Sequence, residues 1–146
     1  MTDGKYSLFV DTSGWIEIFG KENDLHQKAR DILTQARIRN RPIVTTNYVI
    51  LEFISNGCKK CKLSREGLFV AYGEITKLHG IDIVHINVDI HDEEIRRLHK
   101  WVDKKWSLVD ATSFNIMRQH GITEALAKDG HFHEAGFIEL LGKSYA

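Results

Sequence analysis

The chain is short of almost everything that would stiffen, cross-link or anchor it from outside its own core. Proline occurs once, at Pro42, and no Ser/Gly-rich stretch offers a linker. The 146 residues are therefore expected to fold as a single domain over 1–146, within the usual domain size of ~100–150 residues. Two cysteines, Cys58 and Cys61, are too few for a disulfide-rich secreted scaffold. A chain of this length buries roughly 68–70% of its unfolded surface, so it needs no such staple. Net charge is lacking too, since 20 Lys+Arg stand against 20 Asp+Glu. That excludes a strongly basic nucleic-acid coat protein. It leaves room for a nucleic-acid enzyme, because a neutral total can hide a basic rim around an acidic centre. No apolar run approaches the ~20 residues that cross a membrane. Residues 1–5 lack the charged-then-apolar layout of a signal peptide, so a cytoplasmic protein without membrane association is expected. Internal repeats and low-complexity tracts are absent. With 42% hydrophobic and 27% charged residues, the composition is that of a globular domain rather than a disordered one.

What is present is an alternation of short apolar runs with helical patterns. Residues 6–10 read as a strand that stops at Asp11, after which Thr12 and Ser13 offer cap chemistry for a helix carrying Trp15, Ile16, Ile18 and Phe19. Asp24 and Gln27 have capping-box spacing ahead of a helix ending near Asn40. A strand over 43–45 follows Pro42. Asn47 is expected to cap a helix over 48–56 that Gly57 terminates. Residues 63–79 repeat apolar side chains at period 3.6. A strand is expected over 81–86, then a polar helix capped by Asp89 and running to Trp101, then a helix from Ser107 to Gly121. Short strands over 125–127 and 137–141 close the chain. Strands separated by helices mean βαβ units and a mainly parallel sheet, with the site beyond the carboxyl ends of the strands.

Four carboxylates stand out against that frame. Asp11 ends the first strand, where it reads equally as a turn or cap residue. Glu52 lies in Tyr48-Val-Ile-Leu-Glu-Phe-Ile54, a segment apolar on all sides. A charge buried there costs several kcal/mol unless a cationic side chain or a metal compensates it. Asp110 stands third after Ser107, which a capping box explains, yet it shares a face with Ser113, Phe114 and Met117. Asp129 precedes Gly130 in a common turn pair. Singly these positions are ambiguous; as a set they fall where a parallel sheet gathers its chain ends.

The segments that carry these acids resemble the PIN domain, and in particular the VapC-like toxins of toxin–antitoxin pairs. The likeness rests on Val10-Asp11-Thr-Ser13, on Thr45-Thr-Asn-Tyr-Val-Ile-Leu-Glu52, on Trp106-Ser-Leu-Val-Asp110-Ala-Thr-Ser-Phe114 and on residues 121–137, in the family's order. Gly130 and the second histidine, His133, are mild departures from its final motif. The resemblance implies a three-layer α/β/α PIN-like fold. It also implies a metal-dependent endoribonuclease acting as a toxin, with Asp11, Glu52, Asp110 and Asp129 at the metal and Ser13 and Ser113 assisting. An RNA substrate, a cognate antitoxin protein and a homodimer follow from the same likeness.

The chemistry agrees on separate grounds. Close carboxylates repel by roughly 4 kcal/mol per pair at an effective dielectric of 20, so they stay ionised together only around a cation. All-oxygen ligation selects Mg²⁺, with Mn²⁺ as a substitute, over zinc. Such a site suits phosphodiester hydrolysis by an activated water. No serine or cysteine nucleophile with a paired base and no Gly-rich phosphate loop competes with it.

Weaker signals remain. Cys58-Lys-Lys-Cys61 has zinc-ligand spacing but no second pair, and reads as two thiols after a helix end. His131-Phe-His133 in a strand would put two imidazoles on one face without a third ligand. Asp103 is a reserve acid, better explained by a salt bridge to a nearby lysine. Lys59, Lys60, Lys62 and Arg65, with Arg37, Arg39 and Arg41, read either as an RNA-facing rim or as solvated charge. Two other functions are carried alongside: a PIN-like scaffold or RNA-binding subunit without cleavage, and a phospho-acceptor domain using Asp11.

Overall fold

A computed structural model describes residues 6–142; residues 1–5, read above for a leader, lie outside them, as do 143–146. The elements run β1 (Leu8–Val10), α1 (Thr12–Phe19), α2 (His26–Ile38), β2 (Ile43–Thr46), α3 (Asn47–Cys61) and α4 (Arg65–Thr76), then β3 (Ile81–Val84), α5 (Val88–Lys100), α6 (Leu108–His120), β4 (Glu124–Leu126), α7 (His131–Glu134) and β5 (Ile138–Glu139). The five strands form one sheet in the order β3-β2-β1-β4-β5, with every neighbouring pair parallel. The alternation in the sequence thus corresponds to the expected α/β fold with a parallel central sheet flanked by helices. Among the described residues no helix is long and apolar enough to cross a membrane.

The central strands β1 and β2, Leu-Phe-Val and Ile-Val-Thr-Thr, are buried throughout. That is the state of parallel strands covered on both faces. At the edges, β3 and β5 are partly exposed. From β1 the chain winds outward through β2 and β3, then returns to the other side of β1 to lay down β4 and β5. The order therefore reverses between β1 and β4, with Leu8 facing Glu124, Phe9 facing Ala125 and Val10 facing Leu126. Such a switch point opens a crevice beyond the carboxyl ends. Asp11 follows β1 there, and residues 127–130 follow β4.

Several element ends differ from expectation, and at α3 two adjacent polar residues compete for the same cap. Thr46, not Asn47, caps α3 by accepting from the Val49 amide at 3.1 Å, while Asn47 Oδ1 accepts from the Ile86 amide at 2.7 Å. Gly57 does not terminate α3, which continues to Cys61 and ends at Lys62 with φ 55°. Gly57 instead faces α4, where an added Cβ would stand 2.5 Å from Leu68 Cδ1 and oblige that side chain to shift. No capping box forms at Asp24; α2 starts at His26 without a side-chain cap, and Gln27 donates to Asp31 at 2.8 Å. Ser64 caps a shorter α4, and Asn87 rather than Asp89 caps α5. The strand expected over 81–86 stops at Val84. Residues 131–134 are helical rather than extended. Glu94, a buried acid with no counterpart in the sequence analysis, is fully enclosed between α5 and α6, accepts from Asn115 Nδ2 at 2.9 Å and lies 3.4 Å from Arg97 Nη1.

The crevice depends on how closely α1 approaches β4. Gly14 lies against the Leu126 carbonyl, and a Cβ there would meet that oxygen at 2.2 Å and Val10 Cγ1 at 3.0 Å. The same carbonyl accepts from the Asp11 amide at 3.2 Å, so it cannot retreat without loosening the β1–β4 ladder. Gly14→Ala is therefore expected to destabilise by roughly 1–3 kcal/mol, despite the ~1 kcal/mol that alanine gains in a free helix. Thermal denaturation checks this, and an unchanged melting temperature would mean that α1 can back away.

Candidate active site

Beyond the carboxyl ends of β1 and β4 lies a cleft of about 970 Å³ whose wall includes Asp11, Ser13, Glu52, Asp110 and Asp129. The structure thus brings all four singled-out acids and one of the two accessory serines to one place. Asp11 is buried, 7% exposed. It caps α1: Oδ2 accepts from Ser13 Oγ at 3.0 Å and from the Ser13 amide at 3.4 Å. Oδ1 is buried with no partner. The chain around it is fixed by a buried relay, Trp15 Nε1 donating to Thr45 Oγ1 at 3.3 Å and Thr45 Oγ1 donating to the Val10 carbonyl at 2.9 Å. Burial pushes the Asp11 carboxyl up to about 7, and the neighbouring charges of Asp110 and, more weakly, Glu52 push the same way.

Asp110 serves two ends at once. It closes the capping box of α6, its Oδ2 accepting from the Ser107 amide at 3.0 Å while its own amide donates to Ser107 Oγ at 3.1 Å. The same Oδ2 stands 2.9 Å from His131 Nδ1, and His131 lines the cleft. His131 is held there by its neighbour: Phe132 is buried against Phe9 at 6.0 Å and edge-on to Phe114 at 4.9 Å between ring centroids. The histidines were read as a strand pair on one face; the short helix α7 instead gives His131 to the cleft.

Glu52 departs from expectation in its surroundings. The helix is not buried on most sides: Leu51 is 64% exposed, and the buried face comprises Val49, Phe53, Gly57 and Cys61. Glu52 is half-buried and borders the cleft. Asp129 is exposed, in the left-handed region at φ 85° and followed by Gly130 at φ 87°. The Gly130 amide donates to the Glu139 carboxylate at 3.0 and 3.1 Å. Burial holds that carboxyl above its ordinary range and the Asp129 charge adds to the effect, while the Gly130 hydrogen bond opposes it. Ser113 is fully buried on α6 with its Oγ unpartnered, and does not reach the cleft wall.

Of the seven basic residues considered for a rim, only Lys60 lines the cleft. Arg41 pairs with Glu124 at 2.7 Å at the amino ends of the strands, the opposite end of the sheet. Lys62 pairs with Glu22 at 2.8 Å. Lys105, Lys128 and the nearly enclosed Glu17 also line the cleft and were not singled out from sequence. Glu17 stands four residues after Ser13, a spacing that puts both on one helical face and would have identified it. Among the described residues Asp103 forms no ion pair, so the expected bridge to a lysine is absent. Cys58 and Cys61 are free and sit in the last turns of α3 rather than after it. Cys61 donates to the Ile16 carbonyl at 3.4 Å, and burial pushes its thiol up to about 11, a poor state for a zinc ligand.

A divalent cation fits this donor set in a particular way. Among the described residues no three His, Cys, Asp or Glu side chains are gathered into a ready-made cage. Magnesium does not ask for one: it keeps several waters and binds through one or two carboxylates together with substrate phosphates. The buried, unpartnered Asp11 Oδ1, in the field of Asp110 and Glu52, is the donor such an ion would satisfy.

The raised pKa of Asp11 has a stability consequence in metal-free buffer. A carboxyl whose folded pKa is about 7, against an ordinary 3.8, contributes stability that is complete below pH 3.8 and lost as pH rises through 7. In EDTA the melting temperature of the wild type is therefore expected to fall relative to Asp11→Asn between about pH 5 and 7.5. Parallel pH profiles for the two proteins would show that Asp11 titrates normally.

The sequence and the fold have counterparts. The chain matches the PIN domain model over residues 8–138. It is 29% identical over 133 residues to the 23S rRNA-specific endonuclease VapC20 of Mycobacterium tuberculosis, found in two strains, with 91% of this chain and 97% of the relative covered. The crystal structure of Mycobacterium tuberculosis VapC20, described as a sarcin–ricin loop cleaving toxin, superposes with a TM-score of 0.78 at 28% identity over 91% of this chain and 98% of that one. With the family match extending from β1 into β5, the chain belongs to the PIN domain family.

Proposed function

We propose that this protein is a metal-dependent endoribonuclease of the VapC type, the toxin of a toxin–antitoxin pair, hydrolysing RNA phosphodiester bonds. The observation that carries the reading is the Asp11 carboxylate: it is enclosed, has one oxygen without a partner, and sits in the field of Asp110 and Glu52. A carboxylate kept under such repulsion, in a cleft open to a large ligand, is the arrangement expected of a cation site. Mg²⁺, or Mn²⁺ in its place, would supply Lewis-acid polarisation of a phosphate and a more acidic water.

The chain's own residues divide the remaining work. Asp11, Glu52, Asp110 and Asp129, the four acids on the cleft wall, would hold the ion, directly or through the waters it keeps. Ser13 fixes the Asp11 carboxylate through its hydroxyl and amide. His131 does the same for Asp110. Lys60 and Lys105 on the cleft wall offer cations to flanking phosphates, which supply affinity without reading sequence. The ribosomal RNA specificity of the relative makes 23S rRNA, and its sarcin–ricin loop, the first substrate to try. The same reading assigns a cognate antitoxin as protein partner, a homodimer by analogy with the family, and a cytoplasmic site of action.

Asp11→Asn, Glu52→Gln and Asp110→Asn are each expected to lower Mg²⁺-dependent cleavage on the order of 100-fold or more, because groups that share one ion lose function singly. EDTA should abolish the wild-type reaction and excess Mg²⁺ restore it. Incubation of purified protein with ribosomal RNA, followed by gel analysis, checks both. Wild-type cleavage by a folded Asp11→Asn variant would remove the metal reading. A wild type that binds RNA tightly yet never cuts it would favour the scaffold function instead.

A further inference from the structure

We infer that Glu17 and Lys128 form a clamp that sets the position of Asp129 relative to Asp11, which makes Glu17 a positioning residue for the cation site; the inference rests on the metal-dependent reading above. Glu17 projects from α1 with a side chain only 2% exposed. Its Oε1 lies 3.5 Å from Lys128 Nζ, and its Oε2 accepts from Asn23 Nδ2 at 2.7 Å. The Asn23 amide also donates to the Lys60 carbonyl at 3.3 Å, which ties the pair to the end of α3. Lys128 is gripped a second time through its main chain, its amide donating to Ser13 Oγ at 3.1 Å. That hydroxyl in turn donates to Asp11 Oδ2 at 3.0 Å. Ser13 and Glu17, one helical turn apart, thus hold the backbone and the side chain of the residue that immediately precedes Asp129.

The next two residues explain why two grips are needed. Asp129 and Gly130 both have positive φ, 85° and 87°. Aspartate tolerates the left-handed region better than most side chains, and two successive residues there are fixed by what holds the chain on either side. Downstream the Gly130 amide is held by the Glu139 carboxylate at 3.0 and 3.1 Å. Upstream, Lys128 is the anchor. Asp129 is therefore suspended between α1 and β5, exposed itself but fixed on both sides. An enclosed carboxylate such as Glu17 requires a cation nearby, and among the described residues Lys128 is the one that reaches it. The two roles, compensating a buried charge and holding the loop, predict different double variants.

The test uses the full chain with Mn²⁺ alone, titrated by electron paramagnetic resonance, alongside cleavage at varied Mg²⁺. Glu17→Gln and Lys128→Met are each expected to weaken Mn²⁺ binding by roughly tenfold, the usual cost of losing a group that orients a metal ligand. The Mg²⁺ concentration for half-maximal cleavage should rise in step, while the KM for RNA stays near wild type. The double variant Glu17→Gln/Lys128→Met leaves no buried charge unpaired and is expected to fold, as circular dichroism reports, yet still to bind Mn²⁺ weakly. Lys128→Arg should stay near wild type. A folded double variant with wild-type Mn²⁺ affinity overturns the clamp, leaving charge compensation alone, and one that cannot fold overturns it too. Should a single variant fail to fold, the double is read by itself. Singles that match a Mn²⁺-binding wild type defeat only the clamp, whereas a wild type that neither binds Mn²⁺ nor cleaves RNA defeats the metal reading and the clamp with it.

Discussion

Carboxylates crowded where water is scarce are the constraint around which this molecule is arranged. Asp11 is enclosed at the end of β1, and the charge of Asp110 adds to the cost of ionising it. At contact distance, two such charges repel by about 4 kcal/mol at an effective dielectric of 20. The surrounding structure does not remove that repulsion. It holds the two groups against it, through the β1–β4 ladder, the close approach of α1 at Gly14, and the capping box of α6. Stability set aside in this way at one point of a fold is characteristic of a site kept for chemistry.

The two acids at the centre of the cleft are also helix caps. Asp11 caps α1 and Asp110 caps α6, so the ordinary reading of each is correct. Each spends only part of its bonding capacity on the cap. The hydrogen bonds to Asp11 go to Oδ2, as do both of those that Asp110 accepts from Ser107 and His131. One oxygen of each carboxylate is thereby locked in orientation. A cap is a useful place for a ligating acid, because the helix N-terminus that it caps also favours its charge.

The acids also differ in depth, which a motif alone does not convey. Asp11 and Asp110 are buried, Glu52 is half-buried and Asp129 is exposed at the rim. Substrate phosphates arriving from solvent would meet Asp129 and the cleft lysines before the enclosed pair. Edge-on and tilted contacts among Trp106, Phe114, Phe132 and Phe137 pack α6 against α7 and the residues that follow it. Glu17 and Asn23 tie α1 to the end of α3.

By itself the sequence determined the alternation of strands and helices, hence a parallel sheet, because period and local chemistry are properties of neighbouring residues, and it singled out four acids that the structure brings to one cleft. Local chemistry could not decide between adjacent caps: Thr46 displaced Asn47 because Asn47 was needed by the Ile86 amide, a partner 39 residues away. It misjudged Gly57, which faces Leu68 on another helix. It took the helix around Glu52 to be enclosed, whereas which faces of a helix are covered depends on what packs there. Lys105, Lys128 and the turn of His131 toward Asp110 became visible only once the strand order reversed between β1 and β4 and brought α1, α6 and residues 127–130 together. Their partners are distant in the chain, as Ser13 is from Lys128 by 115 residues. Pairings over such separations are set by tertiary packing, and no local pattern records them.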